Sequence, residues 1–480
     1  MRRTKIVATI GPASDSEEIM GQILRAGTDA LRFNFSHGTH QQHLIAYHRA
    51  RSLSSDMGKA VTLIQDLQGP KIRVGKLQDD AVTLENGQEV TITSRRIIGD
   101  ASRIPVSYEY LERDVHPGEI ILMDDGRLRL EAVAVVEDGI KCHVVEGGPL
   151  SPHKGVNFPQ SSLSSPSVTH KDEEDLRFGL QLGFDAVALS FVSSRADVAA
   201  LREEMRKHGV IKPIIAKLER AACLDNLDEI MEEADAVMVA RGDLGIEVDI
   251  KRLPVLQKII ISRANSHGVP VITATQMLES MTKGLLPTRA EAADVANAVF
   301  DGTDALMLSG ETSVGLYPAA AVKMMHEIAS EAEAFAAGVR EPDLWRRGDY
   351  QGRDIPDAIC HTAVVAAHDL KLENIVVVTM TGQTALDVAK FRPTSAIHAF
   401  SPDRTFSNFL ALSRAVIPHY CDLPSDFEAL MNFIDAQLLE KGIAEKGDAV
   451  AVSLGLPLQQ HKGTNTLIIH RVGQKHQYEG

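Results

Sequence analysis

The chain has 480 residues, 44% of them hydrophobic, which is too long for one ordinary domain and enough for two or three large cores. Its 50 Lys and Arg face 65 Asp and Glu, a formal net charge of −15. That balance argues against a nucleic-acid or anionic-membrane surface, and any anionic substrate must be held by a local cluster of cations. Cys142, Cys223, Cys360 and Cys421 are far apart and form no Cys-x-x-Cys pair. This argues against a zinc site or disulfide framework and fits a reducing cytosol. No stretch is long and apolar enough to span a membrane.

In chain order, eight apolar strand candidates end in polar or glycine-rich turns: Lys5–Ile10, Ala30–Phe35, Val61–Asp66, Ala186–Phe191, Pro213–Lys217, Ala236–Ala240, Pro270–Ala274 and Asp304–Leu308. The first begins almost at the N-terminus, with no apolar leader or cleavage site before it. Helical patterns follow most of them, as at Ser16–Arg25, His40–Ser54 and Ala196–His208. Eightfold strand–helix alternation predicts an α/β fold of (β/α)8 TIM-barrel type. The alternative is an open doubly wound sheet; polar residues gathered at the strand C-termini favour the barrel.

The rhythm breaks from about Lys71 to Val168 into short alternating runs with turn signals at Asn86-Gly87, Asp125-Gly126, Asp138-Gly139 and Gly147-Gly148. An all-β domain is expected here, inserted after the third strand as a lid. The polar stretch after Gly338, with Glu341-Pro342-Asp343 and Arg346-Arg347-Gly348-Asp349, predicts a linker. Beyond it Asn374–Thr379, Ala396–Phe400, Val416–Tyr420, Asp448–Ser453 and Thr466–His470 predict a separate α/β domain. The expected division is 1–70 and 169–340 for the barrel, 71–168 for the lid and 341–480 for the last domain.

Two strings near the fifth and sixth strand ends carry the most chemistry: Ala216-Lys217-Leu218-Glu219 and Ala240-Arg241-Gly242-Asp243-Leu244-Gly245. Strand alternation points Lys217 and Glu219 the same way. From neighbouring strands, Glu219 and Asp243 could hold one hard divalent cation with Lys217 beside it, an arrangement suited to a phosphate or an enolate. The plainer alternatives are a structural Lys217–Glu219 ion pair and an Asp243 helix cap. Arg32, Asn34 and Ser36 are expected on one face of the second strand end, with Arg32 able to bind phosphate or simply to pair with a carboxylate. Thr275 falls on the same rim, and Ser190-Phe191 is a weaker feature there. In the last domain, Thr379-Met380-Thr381-Gly382-Gln383-Thr384 lies between a strand and a helix, as a phosphate nest or a plain turn.

These strings resemble the pyruvate kinase family over nearly the whole chain. The resemblance rests on Thr4–Pro12, Arg32–Gly38, Gly69–Arg73, Lys154–Asn157, Ala216–Glu219, Arg241–Gly245, Ala274–Met281 and Leu308–Tyr317, in family order. It implies phosphoryl transfer from phosphoenolpyruvate to ADP, giving pyruvate and ATP, in a cytoplasmic homotetramer, at the last step of glycolysis. It implies Glu219 and Asp243 as ligands of Mg2+ (or Mn2+), and Lys217 as the charge-stabilising cation. Arg32 would bind phosphate, the backbone of Gly242 and Asp243 the substrate carboxylate, and Thr275 would face the enolate. Asn34, His37, Arg73 and Lys154 match nucleotide-side positions. Thr379, Thr381, Gly382, Gln383 and Thr384 match the loop for a phosphorylated allosteric effector.

One departure is informative. Potassium-dependent members resemble Asp-Thr-Lys-Gly-Pro-Glu-Ile-Arg where this chain reads Asp66-Leu67-Gln68-Gly69-Pro70-Lys71-Ile72-Arg73. Asn34, Ser36, Asp66 and Leu67 occupy the positions of the K+ site, and the Lys71 ammonium is expected to replace the ion. The return from the lid, Gln160–Pro166, is richer in serine than usual. A Mg-dependent aldolase or lyase of the phosphoenolpyruvate/pyruvate barrels is the alternative activity, but it needs neither the lid nor Lys217. A catalytically inactive sugar-phosphate sensor has no use for the full set of site residues.

Overall fold

The computed structural model describes residues 2–339, 354–458 and 463–474. Eight parallel strands close into a barrel: Lys5–Ile10, Ala30–Asn34, Thr62–Asp66, Ala186–Leu189, Ile214–Leu218, Ala236–Ala240, Val271–Ala274 and Ala305–Leu308. The eighth pairs with the first, Lys5 opposite Ala305. All eight expected strands are present, and their ends move by a residue or two where the backbone turns. Phe191 has φ +60°, so the fourth strand stops at Leu189. The second stops at Asn34, whose Oδ1 accepts from Ser36 N at 3.0 Å. The expected face of Arg32, Asn34 and Ser36 therefore ends at Asn34, and Ser36 lies in the turn beyond.

Small and branched residues fill the barrel, among them Ala30, Ala186, Ala188, Ala236 and Ile64, and Phe409 and Leu412 of the last domain plug its floor. Apolar residues on the outward strand faces pack under the helices. Several helices start at a threonine whose side chain and the residue three positions on cap each other: Thr39 with Gln42, Thr169 with Asp172, Thr288 with Glu291. Each box satisfies backbone donors that the first turn leaves free.

The insertion after the third strand forms a six-stranded and a two-stranded sheet around its own apolar core. Asp125-Gly126 joins the antiparallel strands Ile120–Met123 and Leu128–Val136, and Asp138-Gly139 joins the latter to Gly139–Glu146. Asn86-Gly87 and Gly147-Gly148 do not close hairpins, because Val82–Leu84 pairs with Gly148–Leu150 and Glu89–Thr93 pairs with Gly139–Glu146. The insertion also carries a four-residue helix, Leu111–Asp114, so it is not purely β. It rests on the barrel mouth: Asn157 Nδ2 donates to Glu247 Oε1 at 3.0 Å.

The helix Pro318–Val339 completes the barrel. The expected linker residues Glu341–Asp343 and Arg346–Asp349 lie outside the described residues. The last domain is a five-stranded sheet in the order Val416–Tyr420, Ala396–Ser401, Asn374–Val378, Ala449–Leu454, Thr466–Arg471, with only the final strand antiparallel. Arg392 clamps it to the barrel through Asp304, at 2.8 and 2.9 Å.

Candidate active site

Barrel geometry brings Arg32, Asp66, Ser190, Lys217, Glu219, Asp243 and Thr275, scattered over more than half the chain, to one rim at the strand C-termini. Lys217 sits at the centre and is buried. Its Nζ donates to Ser190 Oγ at 2.7 Å and lies 2.9 Å from Glu219 Oε1 and 3.3 Å from Asp66 Oδ1. Burial pulls the lysine pKa down, but Asp66 and Glu219 outweigh it and hold the ammonium above its ordinary value. Asp66 also accepts from Arg32 Nε at 2.5 Å, and Arg32 Nη1 reaches Thr9 Oγ1 at 3.2 Å. Burial raises the Asp66 carboxyl, yet Arg32 and Lys217 together hold it below the carboxylate range.

Glu219 behaves differently. Burial raises its pKa, Lys217 opposes that, Asp243 adds to it, and the net shift is upward. Lys217 is thus matched foremost to Asp66, while Glu219 and Asp243 repel each other across the mouth. Glu219 Oε2 is aimed by the Phe191 N–H at 2.9 Å. Lys71 Nζ lies 3.8 Å from Asp243 Oδ1.

Backbone strain collects here. Of the nine described non-glycine residues with positive φ, six border this mouth: Phe191, Thr275 and Gln276 on the barrel, and Asp124, Asp125 and His153 on the lid. A β-branched residue at φ +69°, as Thr275 is, persists only where its surroundings over-determine it. Arg241 supplies that constraint. Its Nη2 donates to Thr275 O at 2.8 Å and its Nε to Ala274 O at 3.3 Å, while Nη1 is anchored on Asp294 at 2.8 Å. Thr275 Oγ1 then donates to Ala274 O at 2.6 Å and accepts from Gly242 N at 2.8 Å. Two details refine the sequence reading: the plainer alternative for Asp243 falls away, and a backbone donor already has a partner. Asp243 is not a helix cap, because the helix starts two residues earlier at Arg241 and puts it in the first turn. The Gly242 N–H is engaged by Thr275 rather than standing free.

On the lid side, Arg73 Nη1 donates to His153 O at 3.0 Å, and Lys154 Nζ lies 2.7 Å from Asp124 Oδ1. His37 lies in the turn after the second strand, where its carbonyl accepts from His43 Nε2 at 2.9 Å. The positions expected to hold a monovalent cation have other partners. Asp66 pairs with Arg32 and Lys217, Asn34 Oδ1 holds Ser36 N, and the Leu67 carbonyl accepts from Ser190 Oγ at 2.8 Å. Lys71 reaches Asp243 instead of Asp66, which corrects the expectation that its ammonium sits among Asn34, Ser36 and Asp66.

A cavity of about 580 Å³ in the last domain is lined by Thr379, Thr381, Gln383 and Thr384. Gly382 (φ +84°) starts the following helix and its N–H bonds Thr379 Oγ1 at 2.9 Å. Asp354, Asp357, Asp387 and Asp422 also line it, against Lys390 and His267.

Comparison with known proteins agrees with this layout. A pyruvate kinase barrel-domain model matches residues 1–322, and a pyruvate kinase alpha/beta-domain model matches 357–470. Pyruvate kinase from Clostridium acetobutylicum is 40% identical over 474 residues, covering 98% of this chain and all of that one. The chain belongs to the pyruvate kinase family. Pyruvate kinase 2 of Synechocystis is 43% identical over 97% of this chain and 78% of its own length. A crystal structure of a pyruvate kinase from Cryptosporidium parvum superposes with a TM-score of 0.92 at 34% identity, covering 98% of this chain and 96% of that one. As a pyruvate kinase family member the protein is a phosphotransferase, and its reaction joins phosphoenolpyruvate and ADP to pyruvate and ATP.

Sequence reasoning placed Lys217, Glu219, Asp243, Arg32 and Thr275 at this pyruvate kinase rim and the structure brings them together. It undervalued Ser190, which anchors the Lys217 ammonium, and missed Asp66 as the shared counter-ion of Arg32 and Lys217. Asp66 ends a strand with its side chain toward the axis, a signal that strand alternation alone could have used. Arg241 was quoted only as part of a motif.

Proposed function

We propose that Lys217, buried and held charged between Asp66, Glu219 and Ser190, stabilises the phosphoryl group as it moves from phosphoenolpyruvate to ADP. Phosphoryl transfer depends on positioning and electrostatic stabilisation, and this single placement carries the reading. Arg32, backed by Asp66, presents its remaining guanidinium donors to phosphate oxygens. Thr275, locked by Arg241, faces the enolate carbon and orients the donor of its proton. The backbone N–H of Asp243, and that of Gly242 once it exchanges Thr275 Oγ1 for the substrate, receive the substrate carboxylate. Asn34, His37, Arg73 and Lys154 hold the nucleotide, the last two from the lid.

The donor set fits a hard divalent cation. Among the described residues no group of three or more His, Cys, Asp or Glu could hold a metal ion, so the protein offers two carboxylates, Glu219 and Asp243. Mg2+ is commonly held by one or two carboxylates, with water and substrate phosphate completing the octahedron. Their mutual repulsion, which lifts Glu219, would be relieved by a cation between them. When bound, that ion (Mg2+ or Mn2+) supplies Lewis-acid charge neutralisation. A coupled assay with phosphoenolpyruvate, ADP and Mg2+ tests the whole reading; aldol cleavage without ATP formation would replace it with the lyase alternative.

Catalysis is proposed to proceed without potassium. Lys71 puts a fixed ammonium beside Asp243, and the Leu67 carbonyl is already bonded. Turnover in potassium-free buffer with a large organic counterion should stay within about two-fold of that with added K+, whereas ion-bridged assembly of the phosphate site would show a strong requirement.

The division 1–70, 71–168, 169–340 and 341–480 is retained for the barrel, lid and last domain. The cavity beside Thr379–Thr384 is proposed to take a phosphorylated effector; its four lining aspartates favour one with a single phosphate. A panel of mono- and bisphosphorylated metabolites in the same assay tests this, and stronger activation by bisphosphates contradicts it. A homotetramer in the cytoplasm completes the reading. Four free cysteines and exposed Leu285, Leu286, Val314 and Leu316 support it, and no described helix is long and apolar enough to cross a membrane.

A further inference from the structure

The lid is joined to the barrel by two short segments, Gln68–Ile72 outward and Ser164–Thr169 on return. Gly69 (φ +68°) is tightly held where the outward segment passes the fourth strand: a Cβ there would lie 2.9 Å from Ser190 Cβ. The return segment is fixed at both ends. Ser164 N and Oγ bond Asp114 of the lid at 2.7 and 2.8 Å, and Thr169 is capped within the barrel helix by Asp172. Asp172 also accepts from Gly69 N at 3.1 Å, so the two segments are tied on the barrel side. Between the anchors lie Ser165, Pro166, Ser167 and Val168, which overlap the end of the serine-rich return Gln160–Pro166.

A cavity of about 1050 Å³ lies against both segments and is walled by lid and barrel together. Lys71 comes from the outward segment, and Lys76, Arg95 and Arg96 from the lid; Glu109 and Glu173 are the opposing carboxylates. Thr169 and His170, the cap and first residue of a thirteen-residue barrel helix, close the far wall. Four cations against two carboxylates is a reversal in a chain of net charge −15. Arg95 is held 3.6 Å from Asp138. Lys76 and Arg96 are exposed and form no ion pair among the described residues. Arg32, Lys217, Glu219, Asp243 and Thr275 do not line this cavity, nor do Asn34, His37, Arg73 and Lys154. It shares Lys71 with the phosphoryl-transfer mouth, where that ammonium lies 3.8 Å from Asp243, and takes none of the other residues assigned there.

We propose that this hinge cavity is a binding site for a phosphate-bearing small anion, whose occupancy fixes the lid relative to the barrel. An anion there would meet Lys76 and Arg96 from the lid and the start of the barrel helix from below. It would supply the counter-charge that Lys76 and Arg96 lack and bridge the two bodies that the hinge separates. The inference does not rest on the identity of the reaction at the barrel mouth. Lys76 and Arg96 take no part in that machinery, so their removal leaves basal turnover unchanged.

The test uses the full chain without divalent metal or nucleotide and inorganic pyrophosphate as the probe. Hydrogen exchange of the backbone amides of Ser165, Ser167 and Val168 should slow about three-fold or more at millimolar pyrophosphate. Lys76→Ala/Arg96→Ala should abolish that slowing, and Lys76→Arg/Arg96→Lys should restore it. Absence of slowing in the unmodified chain overturns the proposal. Equal slowing in the alanine variant also overturns it, because the anion would then act from another site.

Discussion

Lys217 is buried yet keeps its charge because two carboxylates reach it from different strands. Glu219 is two positions along the same strand and was legible from alternation alone. Asp66 was not read as its partner, because that pairing reaches past the fourth strand between strands far apart in sequence. The same limit hid the conformation of Thr275, since nothing in a β-branched residue announces a positive φ. Arg241 enforces that conformation from below the rim without touching the reacting groups in any assigned role. Arg241→Met should cost about 2 kcal/mol of stability, because Asp294 is left half-buried without its partner. It should also lower kcat about 100-fold through misplacement of Thr275, with KM for ADP little changed. A loss of stability with undiminished kcat would show that Thr275 needs no such support.

The strand is the scale at which the sequence was most readable. Runs of Val, Ile, Leu and Ala ending in polar turns gave all eight barrel staves, because a parallel strand buried on both faces has a continuous apolar signature. The lid was harder. Asn-Gly and Gly-Gly mark turns but not which strands meet across them, and two of its four turn signals lead to non-adjacent partners. The last domain holds a pairing that no local pattern exposes. On the adjacent strands Ala396–Ser401 and Val416–Tyr420, His398 Nδ1 lies 3.0 Å from His419 Nε2. Lys441 Nζ donates to His419 Nδ1 at 3.1 Å, so His419 donates through Nε2, and His398 donates through its own Nε2 to Asn374 Oδ1 at 3.1 Å. Burial, with Lys441 nearby, pushes His398 down to about 4 and His419 to about 3. Unfolded histidines titrate near about 6.5. Below that pH the unfolded chain takes up protons that the folded chain refuses, so stability falls as pH drops from 6.5 toward 4 and 3. The slope should approach about 1.4 kcal/mol per pH unit for each ring. Urea midpoints at pH 7 and pH 5 should diverge more for the native chain than for His398→Gln/His419→Gln; equal divergence would remove these rings from the acid response.

Across the whole molecule, the barrel carries the chemistry, and the lid and last domain close its two ends. Phe409 and Leu412 seal the floor while the lid leans on the mouth. One surface of the barrel is left apolar: Leu285, Leu286, Val314 and Leu316 are 58%, 72%, 62% and 67% exposed. Leu316 N bonds Thr282 O at 2.9 Å, which brings the two loops into one patch. Patches of this kind mark association surfaces. Leu286→Glu/Leu316→Glu should therefore reduce the sedimenting mass below that of the proposed tetramer; an unchanged mass would place the subunit contacts elsewhere.

The charged lysine at the barrel rim is the centre of the account, and Lys217→Met isolates it. Turnover with phosphoenolpyruvate, ADP and Mg2+ should fall by a factor of about 1,000 or more, while binding of phosphoenolpyruvate with Mn2+, followed by water-proton relaxation, stays within several-fold of native. Turnover within ten-fold of the native protein would contradict the role assigned to that ammonium.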